Sequence, residues 1–162
     1  MGLTAAGACA VLVVTAGVLL YGAVRDLREY SISNSFVLLL AGLFFLHALL
    51  SGRWVTLHEN IAFALLMFAI LLFCYSKGWL GGGDVKLLTV ALLWVGFRCA
   101  LPFSLFLLIF AALHTVAVKL KWLEGKQIEG RLKIAYAPSI NAALIGSFVS
   151  GCLASPDGHF CL

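Results

Sequence analysis

Apolar runs of membrane-spanning length recur along the whole chain, and this feature limits the possible folds more than any other. Hydrophobic residues make up 63% of the 162 residues and charged residues only 11%, whereas soluble domains average about 45–50% and about 25%. A bilayer core about 30 Å thick needs about 20 helical residues per crossing, and in lipid a helix satisfies its own backbone hydrogen bonds. The sequence therefore predicts an all-α, polytopic membrane protein with one domain over residues 1–162 and no separate soluble domain.

Six transmembrane helices are expected from the positions of the apolar runs. The first run lacks a basic segment before it and continues without an obvious cleavage site into "RDLREY", so we interpret it as a retained helix rather than a signal peptide. Six crossings place both chain ends on the same side of the membrane. The predicted spans are 3–24, 36–50, 61–75, 84–97, 99–118 and 135–154.

The basic residues predict which side of the membrane the termini occupy. Nine lysines and arginines lie in the connections after the first, third and fifth spans, and only Arg53 and Arg98 lie in the other two. Cytoplasmic connections of membrane proteins carry an excess of basic residues, so the odd-numbered connections are expected in the cytoplasm and both termini outside. These charges are scattered over short loops, so the net charge of +4 does not indicate nucleic-acid binding.

The five cysteines indicate neither a metal centre nor a redox centre. They lie far apart and form no C-x-x-C motif, which argues against a zinc ribbon or a thioredoxin-type pair. Most are expected to pack as apolar side chains within helices. Cys152 and Cys161 could form a disulfide if their end of the chain meets an oxidising compartment. The set comprises Cys9, Cys74, Cys99, Cys152 and Cys161.

Two aspartates are the candidate functional residues. Asp26 follows the first span and Asp84 opens the fourth, so the predicted topology brings both to the cytoplasmic side. If Arg98 marks the outer interface, Asp84 lies about 21 Å from it along the helix at about 1.5 Å per residue. Asp84 then lies several ångströms inside the inner edge of a hydrocarbon core about 30 Å thick. An acidic group near hydrocarbon is costly and usually has a function. The preceding glycines, 81–83, lack β-carbons, so the chain there can bend and let another chain approach closely.

A pair of carboxylates in a partly dry site is suited to hydrolysing an amide with water. Both cannot ionise cheaply, so the two tend to share a proton, and one acts as a base while the other acts as an acid. The base takes a proton from water, and the acid polarises the scissile carbonyl group. Neither a metal, nor a cofactor, nor a covalent nucleophile is required.

Three segments carry a resemblance to the type IV prepilin peptidases, a family of GxGD intramembrane aspartyl proteases. "GGGDVK" resembles the family's GxGDxK signature, "DLREYSISN" resembles its first aspartate motif, and "YAPSINAALIG" is similar to its last-helix segment. The resemblance implies that Asp26 and Asp84 form a catalytic dyad. It further implies site-shaping or substrate-binding roles for Gly81, Gly82, Gly83, Lys86, Asn34 and Pro138.

The resemblance also implies a substrate and a location. The connection between the first two spans is too short for the zinc-binding, cysteine-bearing region of full-length prepilin peptidases, which argues against N-methylation. The chain looks like the short, peptidase-only form that serves Flp (tight-adherence) pili. The implied substrate is a single-helix prepilin with a basic leader, cut after a glycine at the cytoplasmic face of the bacterial inner membrane.

Other interpretations of the same residues remain open at the level of sequence. Asp26 and Asp84 could relay protons in a small transporter, or the chain could be a non-catalytic component of pilus assembly. Asp84 and Asn34 are also typical helix-capping residues, and Lys86 could be an interfacial anchor or could stabilise an ionised carboxylate. His47 and His114 are expected to be helix-packing groups rather than ligands. The basic stretch between the last two spans is expected to form a loop or a short interfacial helix.

Overall fold

Five α-helices and one short pair of β-strands make up the part of the chain that the structure describes. The computed structural model describes residues 3–29, 33–51, 54–120, 126–128, 131–133 and 136–150. The elements in chain order are α1 (Leu3–Glu29), α2 (Asn34–Ser51), α3 (Trp54–Ser76), α4 (Gly82–Lys119), β1 (Lys126–Ile128), β2 (Arg131–Lys133) and α5 (Ala137–Val149).

Four of these helices, α1 to α4, are long and apolar enough to cross a membrane. They coincide with the first five predicted spans, although α1 continues five residues beyond its predicted end and α3 begins seven residues before its predicted start. The fifth helix, α5, has 13 residues, and the later part of the predicted last span lies outside the described residues. The chain is therefore a predominantly helical protein with several membrane-length helices, as its composition predicts.

The longest helix, α4, is broken at Gly96. This residue has φ 64° and ψ −178°, a conformation outside the helical region. Essentially only glycine adopts this combination of backbone angles. A β-carbon on Gly96 would collide with the side-chain amide of Asn60 on α3. The break lies one residue before the end of the fourth predicted span, which is Phe97.

Contacts with α5 show that the two segments of α4 run in opposite directions. Trp94, before the break, packs against Phe148 with ring centroids 5.6 Å apart, and Phe106, after the break, lies beside Gly146. Further along, His114 hydrogen-bonds Ser139 at 3.3 Å. A straight helix would place residues 94 and 106 about 18 Å apart, yet both meet the same end of α5. The number of membrane crossings and the outer location of the termini stay predictions.

Trp94 is the centre of the helical core. Its side chain is fully buried, and its indole Nε1–H donates a 3.1 Å hydrogen bond to the Leu40 carbonyl on α2. Its ring meets Phe44 edge-on at 5.5 Å and also contacts His47 and Phe148. A buried indole needs a partner for its N–H, so this hydrogen bond fixes how α4 lies against α2. The contact also confirms the prediction that His47 packs between helices.

A glycine on α1 allows α2 to approach closely. A β-carbon on Gly22 would collide with the ring of Phe36, so α1 and α2 can pack with an aromatic ring directly on the α1 backbone. This contact lies near the end of α1 and the start of α2. It brings together the two helix ends that flank the short connection at residues 30–33.

The basic stretch before α5 contains two short strands, whereas a loop or a short interfacial helix is expected from sequence. β1 pairs with β2 in antiparallel register, with Gln127 opposite Leu132. Only Glu129 and Gly130 separate the two strands, and a two-residue connection containing glycine is typical of a β-hairpin. Within the described ranges, this pair is the one departure from the all-α prediction.

The cysteines differ from the sequence interpretation. Cys9 and Cys99 each take part in a disulfide, whereas Cys74 is a free thiol. The expectation that most cysteines serve as apolar packing residues is therefore wrong for Cys9 and Cys99, because their sulfurs are covalently bonded. The considered pair Cys152 and Cys161 lies outside the described residues.

Candidate active site

Both candidate aspartates lie at the same end of the helical bundle. At this end α1 and α3 finish and α2, α4 and α5 begin, and we call it the aspartate end. Asp26 lies three residues before the last residue of α1, and Asp84 lies two residues after the first residue of α4. At about 1.5 Å per residue, each carboxylate-bearing residue is within about 5 Å of its helix end along the axis. The opposite end, which contains Gly96, is called the Gly96 end.

Asp26 is enclosed by protein rather than solvated at an interface. Only 6% of its surface is exposed, although its neighbour Arg25 is exposed. Gly22, one turn earlier on the same face of α1, is the residue covered by Phe36 of α2. A buried carboxylate at the end of a membrane helix is unusual, since charged side chains are almost never fully buried unless they are paired. Asp26 is therefore not a solvated charge at a helix end.

Asp84 folds back over the start of its own helix. Its Oδ2 atom would lie 3.1 Å from a β-carbon built on Gly81, and the residue is half-buried in the first turn of α4. Gly81 also provides the carbonyl that accepts the Val85 N–H at 3.1 Å. Glycine at position 81 thus leaves room for the carboxylate of Asp84, because a larger side chain would crowd it.

The three glycines do not themselves form the bend predicted from the sequence. Gly82 and Gly83 are already in the first turn of α4, and Gly82 contacts the ring of Tyr75 at the end of α3. The turn lies earlier, at Gly78, where φ is 74°. The glycine run therefore permits close packing around the start of α4, while Gly78 changes the chain direction after α3.

A hydrogen bond connects the two aspartate-bearing segments. Lys86 Nζ, two residues after Asp84, donates a 3.0 Å hydrogen bond to Asn34 Oδ1 at the start of α2. Asn34 belongs to the same sequence segment as Asp26, and both side chains of this bond are exposed. The structure thereby brings together two of the predicted site residues that are 52 positions apart in sequence.

Ser33, rather than Asn34, caps α2. The Ser35 N–H donates to Ser33 Oγ at 3.3 Å, and the Phe36 N–H donates to the Ser33 carbonyl at 3.1 Å. These are the contacts that an N-cap residue makes. The capping role considered for Asn34 is therefore wrong, because its side-chain oxygen accepts a hydrogen bond from Lys86 instead.

Pro138 and Asn141 lie at the start of α5, also at the aspartate end. Pro138 occupies the first turn of the helix, where its missing N–H costs nothing and its fixed φ favours the helical conformation. Asn141 follows three residues later and is only 1% exposed. α5 packs against both α1 and α4, which are the helices that hold Asp26 and Asp84.

The histidine in the second segment of α4 packs against α5. His114 hydrogen-bonds the buried hydroxyl of Ser139, which confirms its prediction as a helix-packing group. In the described ranges, no group of three or more His, Cys, Asp and Glu side chains is arranged to hold a metal ion.

Comparison with known proteins identifies the chain at the family level. The model of the type IV leader peptidase family matches residues 13–117, a range that contains Asp26, Asn34, the glycine run, Asp84 and Lys86 and excludes Pro138 and Asn141. Comparisons with curated proteins and with solved structures find no match. Because the matched range covers well over half of the sequence, the chain belongs to the type IV leader peptidase family.

Proposed function

We propose that the chain is a membrane-embedded aspartyl endopeptidase that removes the basic leader from Flp-like prepilins. Cleavage takes place after a glycine at the cytoplasmic face of the bacterial inner membrane, and Asp26 and Asp84 activate the attacking water. The observation that carries this proposal is the placement of both aspartates at one end of the bundle, with the Lys86–Asn34 hydrogen bond connecting their segments. Membership of a peptidase family supports the reaction class.

Each step of the proposed reaction needs only the two carboxyl groups and water. The ionised carboxylate accepts a proton from water while the water oxygen forms a bond to the carbonyl carbon of the scissile amide. The protonated carboxyl group donates its proton to the carbonyl oxygen, which gives a neutral tetrahedral intermediate. The roles then reverse: a hydroxyl proton of the intermediate passes to the carboxylate that acted as the acid, the amide nitrogen receives the proton that the other carboxyl group took from water, and the C–N bond breaks. The dyad titrates as one unit, so acid and base are not assigned individually.

The cytoplasmic location of the aspartate end is supported by two features. Lys77 and the basic stretch around β1 and β2 belong to connections at this end, and Lys86 lies in the first turns of α4 beside them; basic residues at such connections accumulate in the cytoplasm. Cys9 and Cys99, which are disulfide-bonded, lie toward the Gly96 end. Disulfides persist in oxidising compartments such as the bacterial periplasm, so the Gly96 end is assigned to the outside.

Co-expression with a small hydrophobic protein that carries a glycine-ended basic leader tests the proposed activity. We expect a shorter product whose new N-terminus, determined by mass spectrometry, follows that glycine. Replacing the glycine by valine in the substrate should leave the precursor uncut. A precursor that stays full length beside stably produced enzyme would contradict the peptidase proposal. Proton flux through proteoliposomes that depends on Asp26 and Asp84, without any cleavage, would favour the transporter.

Lys86→Ala and Asn34→Ala are each expected to lower the rate of processing about fivefold. A hydrogen bond of this kind contributes about 1 kcal/mol, and its loss loosens the first turn of α4, which carries Asp84, relative to the start of α2. The double variant should be no slower than either single variant, because both replacements remove the same contact. Initial rates of precursor conversion in detergent-solubilised enzyme provide the measurement.

Lys77→Ala is the matched control for this pair. Lys77 is another exposed lysine near the aspartate end, and its Nζ lies 5.5 Å from the centre of the Phe73 ring rather than against α2. Its removal should leave the rate unchanged. Strictly additive effects of the Lys86 and Asn34 replacements would show that the two side chains act separately.

A further inference from the structure

A buried asparagine on α5 lacks the hydrogen bonds that such a group needs. Neither Nδ2 nor Oδ1 of Asn141 has a hydrogen-bond partner within the described part of the chain, although only 1% of the residue is exposed. Burying an amide without partners costs several kcal/mol, and each unsatisfied group in a native protein requires an explanation. The other buried polar side chains of α5 differ, because Ser139 contacts His114 and Ser147 Oγ donates to the Ala143 carbonyl at 2.9 Å.

The position of Asn141 relates it to the proposed reaction. It lies four residues after the first residue of α5, which is about 6 Å from the aspartate end along the helix axis. Asp26 and Asp84 lie at similar depths on α1 and α4, and α5 packs against both helices. Three polar side chains thus lie within about one turn of the same end of three helices, with α5 in contact with both α1 and α4, and two of the three side chains form the proposed dyad.

We propose that Asn141 binds one of the reacting groups, either the scissile peptide group or the hydrolytic water. An asparagine amide offers both a donor and an acceptor, which is the arrangement that a peptide group or a water molecule satisfies. Asn141 Nδ2 donates to the carbonyl oxygen of the scissile peptide group or to the water oxygen, and Asn141 Oδ1 accepts the N–H of the preceding peptide group or an O–H of the water. This assignment rests on the proposed peptidase function and adds a residue from outside the range matched by the family.

Asn141→Leu separates this role from a structural one. Leucine has a similar volume and no polar atom, so it removes an unsatisfied buried amide and should leave the melting temperature unchanged or higher. Processing should fall about 100- to 1,000-fold, in the range seen when a donor to a reacting group is lost. Asn141→Asp, which keeps the shape and removes the donor, should also be impaired. The matched control is Ser147→Ala on the same helix, which should process normally.

Steady-state kinetics identify which group is bound. A raised KM with unchanged kcat indicates that Asn141 holds the peptide group of the substrate, and a lowered kcat with unchanged KM indicates that it orients water. Both outcomes support the proposal. A kcat/KM of Asn141→Leu within twofold of wild type overturns it, and so does a lower melting temperature that accounts for the lost activity. Failure of the wild-type enzyme to process any prepilin contradicts the peptidase function itself. That result differs from a failure of the Asn141 proposal, in which the wild-type enzyme is active and Asn141→Leu is equally active.

Discussion

Asp26→Asn and Asp84→Asn are each expected to leave a co-expressed prepilin uncut, with a loss of at least about 1,000-fold in processing rate. Asparagine has nearly the same shape as aspartate, but it can neither accept a proton from water nor donate one to the leaving amine. General acid–base catalysis by a positioned group contributes about 10²- to 10⁴-fold, and each carboxyl group acts twice in the proposed cycle. Conversion of precursor to product, followed over hours by gel mobility and mass spectrometry, measures the loss.

Glu59→Gln is the control for the loss of one negative charge. Glu59 is exposed on α3 near the Gly96 end, so its replacement removes an acidic group far from the proposed dyad and should process normally. Asp84 also lies in the first turn of α4, and asparagine is an equally good residue at a helix N-terminus. The thermal stability of Asp84→Asn should therefore stay close to that of wild type. Substantial processing by either aspartate variant would refute the dyad.

Gly96→Ala is expected to lower the apparent melting temperature by about 5–10 °C. A residue other than glycine at φ 64° and ψ −178° costs about 1–3 kcal/mol, and about 1 kcal/mol shifts the melting temperature of a chain of this size by about 2–4 °C. The new methyl group would also meet the side-chain amide of Asn60, which adds a steric term. Thermal unfolding of the detergent-solubilised protein, followed by circular dichroism, provides the measurement.

Gly42→Ala is the matched control for Gly96→Ala. Gly42 lies within α2, and a β-carbon on it would meet nothing within 4 Å. Alanine favours the helix over glycine by about 1 kcal/mol, so this variant should be as stable as wild type or slightly more stable. The double variant Asn60→Ala with Gly96→Ala should recover part of the loss, because only the steric term disappears. Equal stability of Gly96→Ala and Gly42→Ala would show that α4 needs no glycine at its break.

The helical membrane architecture could be predicted from sequence because its cause is distributed over many residues. Each apolar run contributes to the same signal, and errors at single positions do not alter it. The ends of the helices are predicted less accurately than this architecture. α3 begins at Trp54 and not near Ile61, because His58, Glu59 and Asn60 interrupt the apolar pattern without interrupting the helix. Polar residues near the end of a membrane helix remain helical because their backbone still has hydrogen-bond partners along the helix.

The details of the candidate site depended on individual contacts that sequence does not reveal. The run of three glycines predicts a bend, yet among the described glycines the positive φ values occur at Gly78 and Gly96. Asn34 and Ser33 are adjacent and both are typical capping residues, so only the structure shows that Ser33 caps α2 while Asn34 contacts Lys86. The role of Asn141 could not be read from its sequence context either, because an unsatisfied amide is recognised only from its surroundings.

The disulfide-bonded cysteines of the described residues, Cys9 and Cys99, distinguish the Gly96 end of the bundle from the aspartate end. Both sulfurs are covalently bonded, and both residues lie toward the Gly96 end. The described contacts across the aspartate end are noncovalent, such as the 3.0 Å bond between Lys86 and Asn34 and the packing of Tyr75 on Gly82. The described contacts at the aspartate end can therefore open without breaking a covalent bond, so a bulky substrate helix would be admitted where the carboxylates lie rather than at the Gly96 end.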